Sequence, residues 1–285
     1  MIFGLAASRR ASAQQRSDRE DEEDLRNLRL RDLSEGGRRF TLITPRYQQP
    51  DEPIPLVVFL HGLGETVDEK LGAYAWVDKY GLGSAWQRLK RPPIERTSTR
   101  GEWTDARLAE VNGELAAREF RGFAMVCPFM PNLKGAVEVD AYAKWIESVL
   151  LPRVRKETPV YEDADRTYLC GVSLGGYVSL EVLVRLPHVF GAWCGLQTAI
   201  GTFAAAKYAE KISKAGKKPM LILTSTQDHW KASSEALASE LKARNVPHAY
   251  RVIPGPHDQP WLREAGTIEA LHWLDRLWTP VSVTK

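Results

Sequence analysis

Three side chains in a fixed order carry the strongest chemical signal in this chain. Gly171-Val172-Ser173-Leu174-Gly175-Gly176 fits G-x-S-x-G, a serine held between glycines. The bare pattern arises by chance in roughly one chain in ten of this length, so its surroundings decide its meaning. Here it directly follows an apolar run, residues 166–171 (RTYLCG), and directly opens a helical pattern, YVSLEVLVRL. A sharp strand-to-helix turn exposes the serine hydroxyl, and flanking glycines remove the Cβ atoms that would clash across it. The helix N-terminus also aims free N–H groups and a positive dipole end at whatever reacts there.

A serine hydroxyl is a weak nucleophile at neutral pH. It needs a base, and the base needs an acid to orient it. Where this turn occurs, the order along the chain is Ser, then Asp or Glu, then His. Asp228 follows the apolar run MLILTSTQ, and His257 follows AYRVIPGP. Both therefore fall in loops at strand ends, where parallel sheets place their reactive groups. The competing histidines fit less well. His188 follows Pro187 at a helix end, His272 lies inside the last helix, His248 precedes its strand, and His229 adjoins Asp228 too early in the order. Asp258 neighbours His257, and adjacent side chains rarely reach the ring nitrogen in the needed geometry.

Attack on a carbonyl puts negative charge on its oxygen, and one aimed N–H donor lowers the barrier by about 3 kcal/mol. One donor is expected at Leu174, the residue after the nucleophile. The other is expected from the loop His61-Gly62-Leu63-Gly64-Glu65, at Leu63 with Gly64 as second choice. His61 reads as an anchor of that loop. A dinucleotide fingerprint starting at HGLGE fails, because Val67 stands where a small residue is needed and no acidic strand end follows about 20 residues on. Trp230 and Trp261 are candidates for a substrate pocket, with packing as the equal alternative. The chemistry calls for no metal and no organic cofactor.

The elements that must position these groups are legible as runs. PLVVFL (55–60) is apolar throughout, as a strand buried on both faces must be. Similar runs occur at 40–44, 123–128, 166–171, 190–196, 220–226 and 249–253, with helical patterns at 140–156, 174–185, 232–244 and 264–278. Strands alternating with helices predict an α/β fold with a mainly parallel central sheet and helices on both faces. Residues 1–37, with SDREDEEDLRNLRLRDL, read as a disordered or partly helical leader ahead of a catalytic domain at 38–285. Residues 66–122, with Trp76, Trp86, Trp103 and Pro92-Pro93, read as a helical excursion over the active-site face. Lys207, Lys211, Lys214, Lys217 and Lys218 read as a solvated helix face and loop.

The 285 residues suffice for a sizeable core. With a net charge of +3 the chain as a whole has no bias toward nucleic acid, and no apolar run reaches the ~18 residues of a membrane span. Cys127, Cys170 and Cys194 lie in apolar runs without metal-site spacing and read as buried thiols. Ala11-Ser12-Ala13 resembles a signal-cleavage site behind a short apolar stretch. The compartment stays open, with the cytoplasm slightly favoured over secretion.

The segments HGLGE, DADRTYLCGVSLGGYVSLEVLVRLPHVFGAW, TSTQDHW and GPHDQPW together resemble the esterase branch of the α/β-hydrolases. The nearest likeness is to the phospholipase/carboxylesterase and polyhydroxybutyrate-depolymerase-like group, over residues 38–278. The resemblance implies the α/β-hydrolase fold, a Ser173–Asp228–His257 triad, and oxyanion donors at Leu63 and Leu174. It implies a carboxylesterase acting on a small-molecule ester. Feruloyl or acetyl-carbohydrate esterase, lysophospholipase, thioesterase and peptidase activities remain alternatives, as does a catalytically silent binding module. Residues 66–122 and the leader fall outside any matched pattern, so acyl and alcohol specificity and oligomeric state are not readable.

Overall fold

The computed structural model describes residues 25–278. Ala11-Ser12-Ala13 and most of the charged leader lie outside them. Eight strands form one sheet in the order β1-β2-β4-β3-β5-β6-β7-β8. They are β1 (Leu28–Glu35), β2 (Arg38–Pro45), β3 (Leu56–Leu60), β4 (Ala124–Pro128), β5 (Thr167–Val172), β6 (Ala192–Leu196), β7 (Met220–Gln227) and β8 (His248–Pro256). From β4 through β3 to β8 every pairing is parallel, while β1 and β2 are antiparallel additions at one edge. This is the α/β-hydrolase fold.

The all-apolar central strands are explained by two separate cores. Leu56, Val58 and Leu60 of β3 point into one core, with Leu169, Trp193 and Ile222. Val57 and Phe59 point into the other, with Tyr168, Cys170, Cys194 and Leu221. Side chains alternate across a strand, so a strand covered on both faces must be apolar at every position. The first face is covered by α4 (Ala136–Trp145), α5 (Leu151–Glu157), α6 (Leu174–Arg185), α7 (Ala205–Lys214) and α8 (Lys231–Ala243). The second is covered by α1 (Glu69–Asp78), α2 (Leu82–Lys90), α3 (Asp105–Ala117) and α9 (Thr267–Leu277). The three cysteines are free and buried, as their apolar runs imply.

Two parts of the structure differ from the sequence reading. The leader ends earlier than residue 37, because Leu28–Glu35 is a strand, β1. An edge strand needs hydrogen bonds on one side only and tolerates charge, so LRLRDLSE lacks the apolar density of the central runs. Its charges are paired across the edge, Arg31 with Glu157 and Arg153 with Glu35. The overlooked signal was Gly36-Gly37, with φ of 56° and 73°. Two consecutive left-handed residues make the tight turn that joins antiparallel strands.

Residues 66–122 are helical, but α1, α2 and α3 form an ordinary layer against the second face. Trp76, Trp86 and Trp103 are buried there beside Phe59, Phe123 and Trp261. Other parts of the segment reach the sheet's carboxyl edge, notably Arg100, which meets Asp258. Lys207 and Lys214 are on the solvent side of α7, whose Tyr208, Ala209 and Ile212 face the core.

If β1 belongs to the sheet, a chain starting at residue 38 loses the burial of Leu28 and one row of ladder bonds. Such a chain should unfold with a loss of roughly 2 kcal/mol or more, a fall in Tm of several degrees by calorimetry. An unchanged Tm would return residues 25–37 to the status of a dispensable leader.

Candidate active site

Ser173 stands where β5 ends and α6 begins, with φ 53° and ψ −115°. A non-glycine residue is rarely held there, and such strain persists only where the surroundings dictate it. The surroundings are backbone. A Cβ on Gly171 would meet the carbonyl oxygen of Gly175 at 2.2 Å, and one on Gly175 would meet Leu60 O at 2.3 Å and His61 O at 2.4 Å. The first turn of α6 therefore lies directly on the end of β3. Ser173 N–H donates to Leu196 O at 2.9 Å, and Ser173 O accepts from Ala199 N–H at 3.0 Å, which ties the turn to β6 and its loop.

The loop after β3 faces the same serine. The Cβ position of Gly62 is 4.0 Å from Ser173 Cβ. Leu63 opens a short helical turn, Leu63–Glu65, and Leu174 opens α6, so neither N–H is used by its own helix. His61 anchors the loop as expected. It is fully buried, accepts from Met130 N–H through Nε2 at 2.9 Å and places Nδ1 2.9 Å from Gly62 O. Those partners fix the tautomer with its proton on Nδ1, and burial pushes its pKa down, so it stays neutral.

Sequence reasoning missed the residue that holds Gly62. Tyr80 Oη accepts from Gly62 N–H at 3.0 Å and donates to the buried carboxylate of Glu65. A tyrosine inside a helical segment carries no local signal of that role.

Asp228 follows β7 and His257 follows β8. His257 Nδ1 donates to Asp228 Oδ1 at 2.8 Å. The second carboxylate oxygen accepts from Thr224 Oγ1 at 2.6 Å, and Oδ1 also accepts from Trp230 N–H at 3.0 Å. Burial pushes the Asp228 carboxyl up, but these three donors outweigh it and hold its pKa below the ordinary value. An ionised carboxylate is thus fixed against the imidazole, which leaves Nε2 with the lone pair.

Gln197, also unforeseen, joins the serine side to the histidine side. It follows Leu196 at φ 47°, and its Nε2 donates to Pro256 O at 2.9 Å and Ser225 Oγ at 2.8 Å. Its position just past a strand's carboxyl end was the available clue.

The rejected candidates are engaged elsewhere. Asp258 caps the turn at Gln259–Trp261 through Trp261 N–H, and its other oxygen accepts from Arg100 at 2.8 Å. His188 lies 2.7 Å from Glu147, and His248 Nδ1 lies 2.8 Å from Val246 O. His272 is buried in α9, where burial first and nearby arginines second lower its pKa to about 3. Of the two tryptophans, Trp230 is half-buried beside His229, whereas Trp261 is fully buried in the second core.

A strained serine turn, an Asp–His pair and a glycine loop stand at the carboxyl edge of a sheet with the α/β-hydrolase fold. Residues 127–265 match the family described as "Putative esterase". No significant match is found among curated protein sequences. The chain is similar to a ferulic acid esterase at 16% identity and TM-score 0.66, over 88% of this chain and 98% of that one. A serine-to-alanine mutant of the feruloyl esterase module from Clostridium thermocellum, complexed with sinapinate, aligns at 14% identity and TM-score 0.64, over 90% and 91%. An S-formylglutathione hydrolase from Staphylococcus aureus aligns at 16% identity and TM-score 0.58, over 87% and 96%.

Replacing Tyr80 by Phe removes one hydroxyl and strands two buried groups, Gly62 N–H and Glu65. Stability should fall by about 1–3 kcal/mol in urea titration, and turnover should fall because the oxyanion loop loses its support. Unchanged values for both would show that the loop is held by other contacts.

Proposed function

We propose that the chain is a serine carboxylesterase in which Ser173, Asp228 and His257 act as nucleophile, acid and base. The 2.8 Å bond between Asp228 and His257, on the same carboxyl edge of the sheet as Ser173, carries the reading. The family match over residues 127–265 supports ester hydrolysis, and the Asp228–His257 geometry supports the residue roles.

In this mechanism His257 Nε2 takes the Ser173 proton as Oγ attacks the ester carbonyl. Asp228 stabilises the imidazolium and keeps it oriented. The N–H groups of Leu63 and Leu174 donate to the developing oxyanion, with Gly64 as the alternative to Leu63. The tetrahedral intermediate expels the alcohol, which takes a proton from His257, and leaves an acyl-serine. Water activated by His257 then releases the acid. The strained backbone at Ser173 contributes because the nucleophile is held in its attacking position before substrate arrives. A small-molecule ester is the substrate class; ferulic and thioester substrates, named for the structural neighbours, are the first variants to compare.

Ser173→Ala should lower hydrolysis of p-nitrophenyl acetate by at least ~10⁴-fold without changing Tm. Retention of most turnover would end the assignment of the nucleophile. Asp228→Asn should cost about 10⁴-fold in kcat while leaving KM nearly unchanged, since the wrong tautomer of His257 is then favoured. A fluorophosphonate probe should label Ser173 in the parent chain, and labelling elsewhere would contradict the triad.

A further inference from the structure

His229 is exposed, carries no role in the acyl transfer, and stands against the Asp–His pair. Its ring centroid is 4.5 Å from that of His257, and its Nδ1 is 3.9 Å from Asp228 Oδ1. His257 Nδ1 approaches the same oxygen from 2.8 Å. Among the described residues, Asp228, His229 and His257 form a group whose ligand atoms all lie within 4.8 Å of one another. We infer that these three residues form a binding site for a borderline-soft divalent cation such as Zn²⁺, and that the bound ion switches the esterase off.

The donor set fits the ion. Two imidazole nitrogens and one carboxylate oxygen are ordinary zinc ligands, with bonds of about 2.0–2.2 Å in a tetrahedron. The edge of such a tetrahedron is roughly 3.4 Å, and the two separations from Asp228 Oδ1 fall on either side of it. Closing the set requires movement mainly of His229, whose side chain is 64% exposed and free to turn. The fourth position opens to water. Hard cations such as Mg²⁺ prefer oxygen ligands and are expected to bind weakly.

The consequence for catalysis follows from where the electron pair goes. Zn²⁺ takes the lone pair of His257 Nδ1, so the ring's single proton must sit on Nε2. A protonated Nε2 cannot accept the Ser173 proton, and the ion has also displaced the hydrogen bond to Asp228. No bond to substrate is made and no redox change occurs. Inhibition is therefore reversible by chelation. This second half rests on the reading of His257 as the base; the binding half does not.

Binding is measured first by calorimetry with ZnCl₂ on Ser173→Ala, which keeps all three ligands and cannot turn over. One Zn²⁺ per chain is expected, weakened at least ~10-fold by His229→Ala and by His229→Gln in the same background. His188→Ala, which removes the His188–Glu147 pair, should leave the affinity unchanged. Saturable binding that survives both His229 substitutions, or no saturable binding up to millimolar Zn²⁺, overturns the site. In the second arm Ser173 is intact, and hydrolysis is followed with and without Zn²⁺, each variant against its own chelator-treated rate. The parent should lose most of its activity and regain it with EDTA, while the His229 variants resist. Zinc that binds without inhibiting overturns the switch. A parent that binds zinc but hydrolyses no ester in chelator-treated buffer would count against the esterase reading and leave the site standing.

Discussion

The structure turns on one close approach of backbone to backbone. The first turn of the helix after Ser173 lies on the end of β3, where Gly175 leaves no room for a Cβ against Leu60 O and His61 O. That contact sets the distance between Ser173 and the HGLGE loop. It also explains the left-handed backbone of Ser173, because a relaxed residue there would lift the helix from the sheet. Interiors are packed too densely to absorb such a shift.

Around this contact the sheet works as a ruler. Adjacent strands are about 4.8 Å apart, so the loops after β3, β5, β6, β7 and β8 present their residues side by side along one edge. Residues along this edge are held by partners from other segments. Tyr80 holds Gly62, Met130 N–H holds His61, Thr224 holds Asp228, and Gln197 holds the backbone before His257. Two fully apolar cores keep the ruler rigid, and an antiparallel pair, β1 and β2, closes the edge beyond β4.

Legibility followed burial. Strands β3 to β7 were visible because both their faces are covered, which forces runs such as LVVFL and MLIL. Strand β1 was not, because an edge strand is selected for charge and its only signal was the Gly36-Gly37 turn. The place of the tryptophans was hidden for a related reason. A large apolar side chain reads alike whether it lines a pocket or fills a core, and Trp76, Trp86, Trp103 and Trp261 lie in the second core.

The order of Ser173, Asp228 and His257 and their places after apolar runs are properties of the chain itself. They follow from local rules, a turn that needs glycines and strands that end in loops. The preference for Asp228 over Asp258 also came from a local rule, the poor reach of adjacent side chains; in the fold Asp228 bonds His257, and Asp258 is engaged by Trp261 N–H and Arg100. Tyr80 and Gln197, and the meeting of His229 with His257, depended on contacts between segments distant in sequence. No local pattern encodes a hydrogen bond across 59 residues. Only the packed sheet brings its two ends together, because the partner of a polar group is set by which strands lie side by side.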